Sequence, residues 1–209
     1  MSEQIDLTKE FKHLYNPSAK EPSIVDVPSF NFLMLDGHGN PNTSPEYVEV
    51  LEALYSLAYT LKFAIKKSTG IDFKVMPLEG LWWVKGAQSD QAEFVKQDKD
   101  SWYWTMMILQ PPVVTADWVE TARQQAQAKK DAPTRIVQIR FEAYQEGLSV
   151  QLMHLGSYSE EGPNIARMHE FAFGQGYRLE GKHHEIYLGD PRRTAPEKLR
   201  TVIRQPIAK

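Results

Sequence analysis

The sequence predicts an α+β fold built from two copies of a strand, helix, strand, strand unit. Three observations carry that expectation. Strand-like and helix-like runs appear twice in the same order: FLMLDG, a helix, PLEGLWWVKG and MMILQPP, then LMHLGSY, a helix, RLEGKHHEIYLGD and TVIRQPI. Leu-Glu-Gly recurs at 78–80 and 179–181, and Gln-Pro at 110–111 and 205–206. The chain of 209 residues is long enough to bury a sizeable core. Two copies related by a pseudo-two-fold axis leave a groove between their sheets, and such interfaces commonly hold ligands.

Each element follows in chain order. Residues 1–22 read as a polar N-terminal arm anchored by Phe11, Leu14 and Tyr15 and closed by Pro17 and Pro22. The rest, 23–209, reads as one domain with halves at about 23–130 and 131–209. FNFLMLDGHGNP, 30–41, is a β-rich run ending in a Gly/Asn/Pro turn cluster. Ser44 as N-cap, Pro45 at the first helical position and Gly70 past the end bound a long helix. Its apolar stripe is Tyr47, Leu51, Leu54, Ala58, Leu61 and Ile65. FKVMPLEGLWWVKG and SWYWTMMILQPP are strands separated by a charged loop, AQSDQAEFVKQDKD. A second helix opens behind Thr115 and covers roughly 116–130.

RIVQIRFEAY and LSVQLMHLGSY are strands joined by a turn at Gln145, Glu146 and Gly147. EGPNIARMHEFAFGQG is a shorter helix behind Ser159, ended by Gly174 and Gly176. KHHEIYLGD and LRTVIRQPI are the last strands, and the C-terminal lysines and arginines read as a solvated surface.

Composition removes several function classes. A net charge of −3 without a basic stripe argues against direct nucleic-acid binding. Nothing approaches the ~18 apolar residues of a membrane span, and the N-terminus lacks the apolar core of a signal peptide. The absence of cysteine excludes disulfides, thiolate nucleophiles and cysteine-based zinc sites, and fits a reducing cytoplasm. His38, His154 and His169 are scattered, and no HExxH spacing exists, so no metal or other cofactor is expected. Gly-rich phosphate loops and GxSxG are also missing.

The chemistry therefore rests on GKHHEIYLGDPRR, 181–193. Strand periodicity puts His183, Glu185 and Tyr187 on one face and turns His184 away. A carboxylate in an apolar pocket either rises in pKa and serves as a general base, or stays ionised as a counter-charge for a cation. The plain alternative is an ion pair with a sheet-edge Arg or Lys. Trp82, Trp83, Trp104 and Met106 supply flat or polarizable side chains for a pocket wall, though tryptophans more often fill cores. Tyr158 is placed to close the pocket and His154 to line it; for each, a purely structural role is the alternative. Glu79 is either a pocket acid or, as favoured here, the turn residue of the Leu-Glu-Gly echo.

DGHGNPN, PLEGLWW, WYWTMMILQP, LMHLGSY and above all HHEIYLGDPRRTAPEKLRTVIRQP resemble the GyrI-like small-molecule-binding family, closest to its stand-alone bacterial members. The resemblance covers most of the chain. It implies duplicated SHS2-like modules with a ligand groove at the pseudo-two-fold. Relatives include effector domains of multidrug-responsive regulators, in which a buried glutamate of an E-x-Y-like strand meets aromatic, often cationic ligands; Glu185 and Tyr187 match. No helix-turn-helix pattern precedes the module here, so direct transcriptional control is not expected.

Some stand-alone members hydrolyse the cyclopropane of DNA-alkylating natural products, others only bind, and one branch acts on DNA gyrase. The resemblance thus implies either a cyclopropanoid hydrolase with Glu185 as base and Tyr187 as its support, or a module that sequesters aromatic or cationic drugs. The oligomeric state stays open.

Overall fold

A computed structural model describes residues 4–85 and 98–209. Two helical turns, α1 (Leu7–Glu10) and α2 (Lys12–Tyr15), precede β1 (Ser23–His38) and the long helix α3 (Pro45–Thr69). Then come β2 (Leu78–Val84), β3 (Trp102–Gln110), α4 (Ala116–Gln127), β4 (Arg140–Leu155), α5 (Gly162–Gly174), β5 (Arg178–Leu179), β6 (His183–Tyr187) and β7 (Arg200–Ala208).

The main strands are antiparallel and run in the order β4-β1-β3-β2-β6-β7, with β7 pairing back onto β4. The sheet therefore closes into a barrel-like ring, which removes its free edges. Two 16-residue strands make closure possible. β1 pairs with β4 through Ser23–Met34 and with β3 through Asn31–His38. β4 likewise passes from β1 to β7, which it meets over Ser149–Leu155. Pro28 and Gly147 (φ +73°) sit where each long strand has a single neighbour, so the missing N–H and the unusual backbone angle are tolerated.

Register divides the ring into two faces. On one, Leu33, Leu35, Trp104, Met106 and Ile108 meet the α3 stripe of Leu54, Leu57, Ala58 and Leu61, all buried. On the same face Val150, Leu152 and Ile203 meet Ile165, Met168 and Ala172 of α5. The opposite face receives the N-terminal arm, whose Leu7, Leu14 and Tyr15 are buried in the main core.

The helix ends obey simple chemistry. Pro45 opens α3, and Gly70 closes it in the left-handed conformation (φ +76°), its N–H reaching Lys66 O. The Thr115 hydroxyl accepts from Trp118 N at α4. No described helix is long and apolar enough to cross a membrane.

Four expectations are corrected. Residues 145–147 form no turn: β4 runs straight through because β1 pairs on both sides of them, Phe30 with Tyr144 and Asp26 with Leu148. The helix N-terminal signal comes from Ser157, which forms a capping box with Glu160 ahead of α5, and not from Ser159. α4 stops at Gln127 rather than 130. The C-terminal cations are not all solvated. Arg192 and Arg193 are exposed, but Arg204 is buried on the arm face. The charged loop 87–100 lies outside the described residues except for 98–100, which lead into a 3₁₀ turn at Lys99–Ser101.

Candidate functional site

β2, β6 and β7 carry polar side chains on both faces, and the two sets differ in character. On the helix face, Gly80 lies opposite Glu185 and Trp82 opposite His183. The missing side chain at Gly80 lets the Trp82 indole fold back along its own strand: a Cβ there would lie 2.7 Å from Trp82 Nε1 and 3.2 Å from Met106 Cε.

The indole N–H donates to the Tyr187 hydroxyl (3.0 Å), and that hydroxyl donates to Glu185 Oε2 (2.7 Å). His183 Nε2 lies 3.3 Å from Glu185 Oε1. No arginine or lysine among the described residues pairs with Glu185, so the sheet-edge ion pair is not what holds it.

Aromatic rings enclose this carboxylate. Trp102 meets Trp82 edge-on at 5.6 Å, and Tyr158 meets Tyr187 edge-on at 5.5 Å. Tyr47 lies 6.3 Å from Trp82 and 5.3 Å from Trp104. Tyr158 is 38 % exposed and forms the outer wall. Met106 and Trp104 are wholly buried on this face, with the Trp104 N–H donating to Gly39 O (3.1 Å). They back the wall rather than form its open surface.

The other sequence-named residues lie apart. Trp83 occupies the opposite face, stacked on Tyr103 at 6.0 Å with Lys182 Nζ 3.5 Å above its ring. Adjacent strand residues alternate, so Trp82 and Trp83 cannot share a pocket. His154 is buried, with Nε2 2.9 Å from Ser157 O and Nδ1 2.8 Å from Asn164 Nδ2. It pins the turn that presents Tyr158.

A second carboxyl, missed in the sequence, completes the site. Glu161 is only 3 % exposed at the start of α5, and its side chain reaches Glu185. As sequence it is an ordinary acid before a helix; only docking of α5 onto β6 and β7 reveals its neighbour. Burial and the adjacent Glu185 charge hold the Glu161 carboxyl well above the usual carboxylate range, against a smaller opposite pull from Thr201. Burial pushes Glu185 up as well, but His183, Tyr187 and Glu161 outweigh it and hold Glu185 below that range. The two acids thus part company, one neutral and one ionised. Burial and Glu185 also hold the Tyr187 phenol protonated, and burial with Glu161 pushes Tyr158 up to about 12.

Behind this site, on the arm face, lies a charged network. His184 Nε2 is 3.0 Å from Glu79 Oε2, and Nδ1 is 2.9 Å from Glu146 Oε2. Arg204 Nη1 donates to the same Glu146 oxygen (3.0 Å), Nε to Gln151 Oε1 (3.1 Å), and Nη2 to Leu14 O (2.7 Å). Tyr15 donates to Glu79 Oε1 (2.8 Å). Glu79 is therefore a mid-strand network residue, neither the turn residue expected nor a groove acid. A cavity of about 10 Å³ sits among these groups, room for about one water. A wider groove of about 720 Å³ lies between α3 and α4, lined by Tyr55, Tyr59 and Phe63. Neither cavity is lined by Glu185.

His184 touches a carboxylate through each nitrogen, which requires an imidazolium. Burial opposes that charge, but Glu146 and Glu79 prevail and raise its pKa from 6.5 to about 9. A raised folded-state value stabilises the fold fully below the unfolded value and fades as pH climbs through the folded one. Urea midpoints are therefore expected to fall between pH 6.5 and about 9 in the wild type and to flatten in His184→Gln. Identical slopes in the two proteins would refute the assignment.

Among the described residues no group of three His, Cys, Asp or Glu is arranged to hold a metal. The site is thus an ionised carboxylate with a neutral acid beside it, in a casing of indole and phenol rings.

Comparison with known proteins agrees over nearly the whole chain. The family profile described as GyrI-like small molecule binding domain matches residues 20–208. A crystal structure of an uncharacterized conserved protein from Listeria innocua is 38% identical, with a TM-score of 0.88 over 98% of this chain and 100% of that one. A hydrolase from Listeria innocua is also 38% identical, with a TM-score of 0.85 over 99% and 100% of the two chains. The EcmrR C-terminal domain, at 12% identity and a TM-score of 0.54 over 90% of this chain and 98% of that one, shares the fold. Comparison with curated proteins gives no match. By profile and by full-length similarity alike, this chain belongs to the GyrI-like small molecule binding domain family.

Proposed function

We propose that this protein binds flat aromatic small molecules between Trp82, Tyr158, Tyr187 and Glu185, and hydrolyses the cyclopropane of cyclopropanoid DNA-alkylating compounds, a detoxifying activity in the cytoplasm. The observation that carries the proposal is a half-buried Glu185 hydrogen-bonded to Tyr187 inside a casing of aromatic rings. The hydrolase name borne by a relative of 38% identity supports a hydrolytic activity.

The two four-element units, β1-α3-β2-β3 and β4-α5-β6-β7, are read as an SHS2-like duplication of about 23–130 and 131–209, behind an arm of 1–22. Exchanging β1 with β4, β2 with β6 and β3 with β7 maps the strand ring onto itself, which supports that reading.

The chemistry balances without a cofactor. Glu185 takes a proton from water as the water oxygen bonds to the strained ring carbon. The ring C–C bond breaks, and its electron pair passes through the conjugated dienone to the carbonyl oxygen, which becomes a phenolate and then takes a proton. The net change is addition of one water. Tyr187 supports the carboxylate, and the indole faces hold the substrate plane.

A second reading is sequestration without turnover. It is favoured by the lowered Glu185 pKa, because a strongly acidic carboxyl is a good counter-charge and a modest base. Incubation with a cyclopropanoid alkylator followed by mass spectrometry separates the two. Hydrolysis predicts a product heavier by one water over many turnovers; recovery of unchanged compound at one equivalent per protein would replace it with sequestration.

A further inference from the structure

The groove contains two carboxyl groups, and its chemistry depends on how many protons they hold together. Glu161 at the start of α5 makes a side-chain hydrogen bond to Glu185, and both are largely screened from water. Groups facing the pair come from every surrounding element. β6 gives His183 and Tyr187, with His169 of α5 acting on His183, β7 gives the Thr201 hydroxyl, and the 157–160 turn gives Tyr158. α3 contributes Tyr47 and the 3₁₀ turn before β3 contributes Lys99. Burial and His183 push His169 down to about 4, leaving it neutral, and burial keeps Tyr47 and Tyr187 protonated. Glu161 hydrogen-bonds both Glu185 and the Thr201 hydroxyl, so the two carboxyls and that hydroxyl form one contact set between α5, β6 and β7.

We propose that Glu161 and Glu185 hold a single proton between them, and that a doubly charged aromatic guest expels it, making Glu161 the residue that fits the groove to ligand charge. The proposal rests on the reading of this groove as a ligand site. Two adjacent carboxylates repel strongly in a poorly hydrated pocket, so the resting pair carries one negative charge. A neutral flat molecule leaves that state undisturbed. A monocation is matched by Glu185 alone. A dication brings an unmatched positive charge, which favours ionisation of Glu161 and releases its proton. Proton release on binding requires that affinity for the dication rise with pH, whereas affinity for a neutral ligand does not.

Calorimetry at pH 7 in phosphate and in Tris reads the proton directly, because the two buffers differ in ionisation enthalpy. The probes are methyl viologen, a flat dication, and N-methyl-4-phenylpyridinium, a monocation of similar outline; neither titrates. Wild-type protein should release about one proton per viologen and close to none with the monocation. Glu161→Gln, an uncharged isostere of the resting acid, should bind the monocation as before, bind viologen at least about tenfold more weakly, and release no proton. Viologen binding with the same enthalpy in both buffers, or release that persists in Glu161→Gln, would assign the proton elsewhere and overturn the proposal. Failure of both cations to bind wild-type protein would remove the ligand groove itself, a distinct result.

Discussion

Glu185→Gln should lower the turnover of a cyclopropanoid substrate by about 10²–10⁴-fold, the usual contribution of a positioned general base. Glutamine keeps the shape of glutamate and can accept a hydrogen bond from the Tyr187 hydroxyl through its carbonyl. What it loses is the ability to take a proton from water. The loss should appear in kcat, with KM for a neutral substrate nearly unchanged, because the aromatic casing that binds the ring system is intact. Thermal melting alongside the assay checks that the packing survives. Unaltered turnover in a well-folded Glu185→Gln protein would remove this residue from the chemistry.

The second large effect concerns stability. Arg204→Ala should cost about 3–5 kcal/mol, the range for breaking a buried ion pair by deleting one partner. The guanidinium neutralises Glu146, which together with His184 holds that carboxyl down at about 2 despite its burial. It also satisfies Gln151 Oε1 and the backbone carbonyl of Leu14, so its removal strands several buried acceptors at once. Arg204→Lys keeps the charge but cannot reproduce the fork, and should recover only part of the loss. Urea denaturation of the three proteins tests this, and a loss below about 1 kcal/mol in Arg204→Ala would mean that the network contributes little.

This network also explains why the arm and the site belong to one unit. Leu14 O and His13 O accept hydrogen bonds from Arg204 and Gln151, and Tyr15 donates to Glu79. Glu79 and His184 alternate along β2 and β6 with Gly80, His183 and Glu185. The strand that carries the carboxylate is thus held from behind by ionic contacts and in front by aromatic ones. Because β-strand side chains alternate, two unlike environments are set one residue apart.

Local pattern alone placed the long helix at 45–69, the start of the second helix at 116, the strands around Trp82, Trp104 and Glu185, and the shared face of His183, Glu185 and Tyr187, since these follow from periods of 3.6 and 2 and from capping residues. It grouped Trp83 with Trp82 in one pocket wall, whereas the fold sets Trp83 on the opposite face against Tyr103. Tertiary structure decided the rest. Glu161 and Glu185 are 24 positions apart and meet only because α5 docks over β6 and β7. Arg204 looked like one more surface cation until closure of the ring buried it against Glu146 and the arm. The turn expected at Gln145–Gly147 yielded to the pairing of β1 on both sides of it. Charge and turn signals describe what a residue tolerates; which partner it meets depends on contacts between distant segments, and those carry no local periodicity to read.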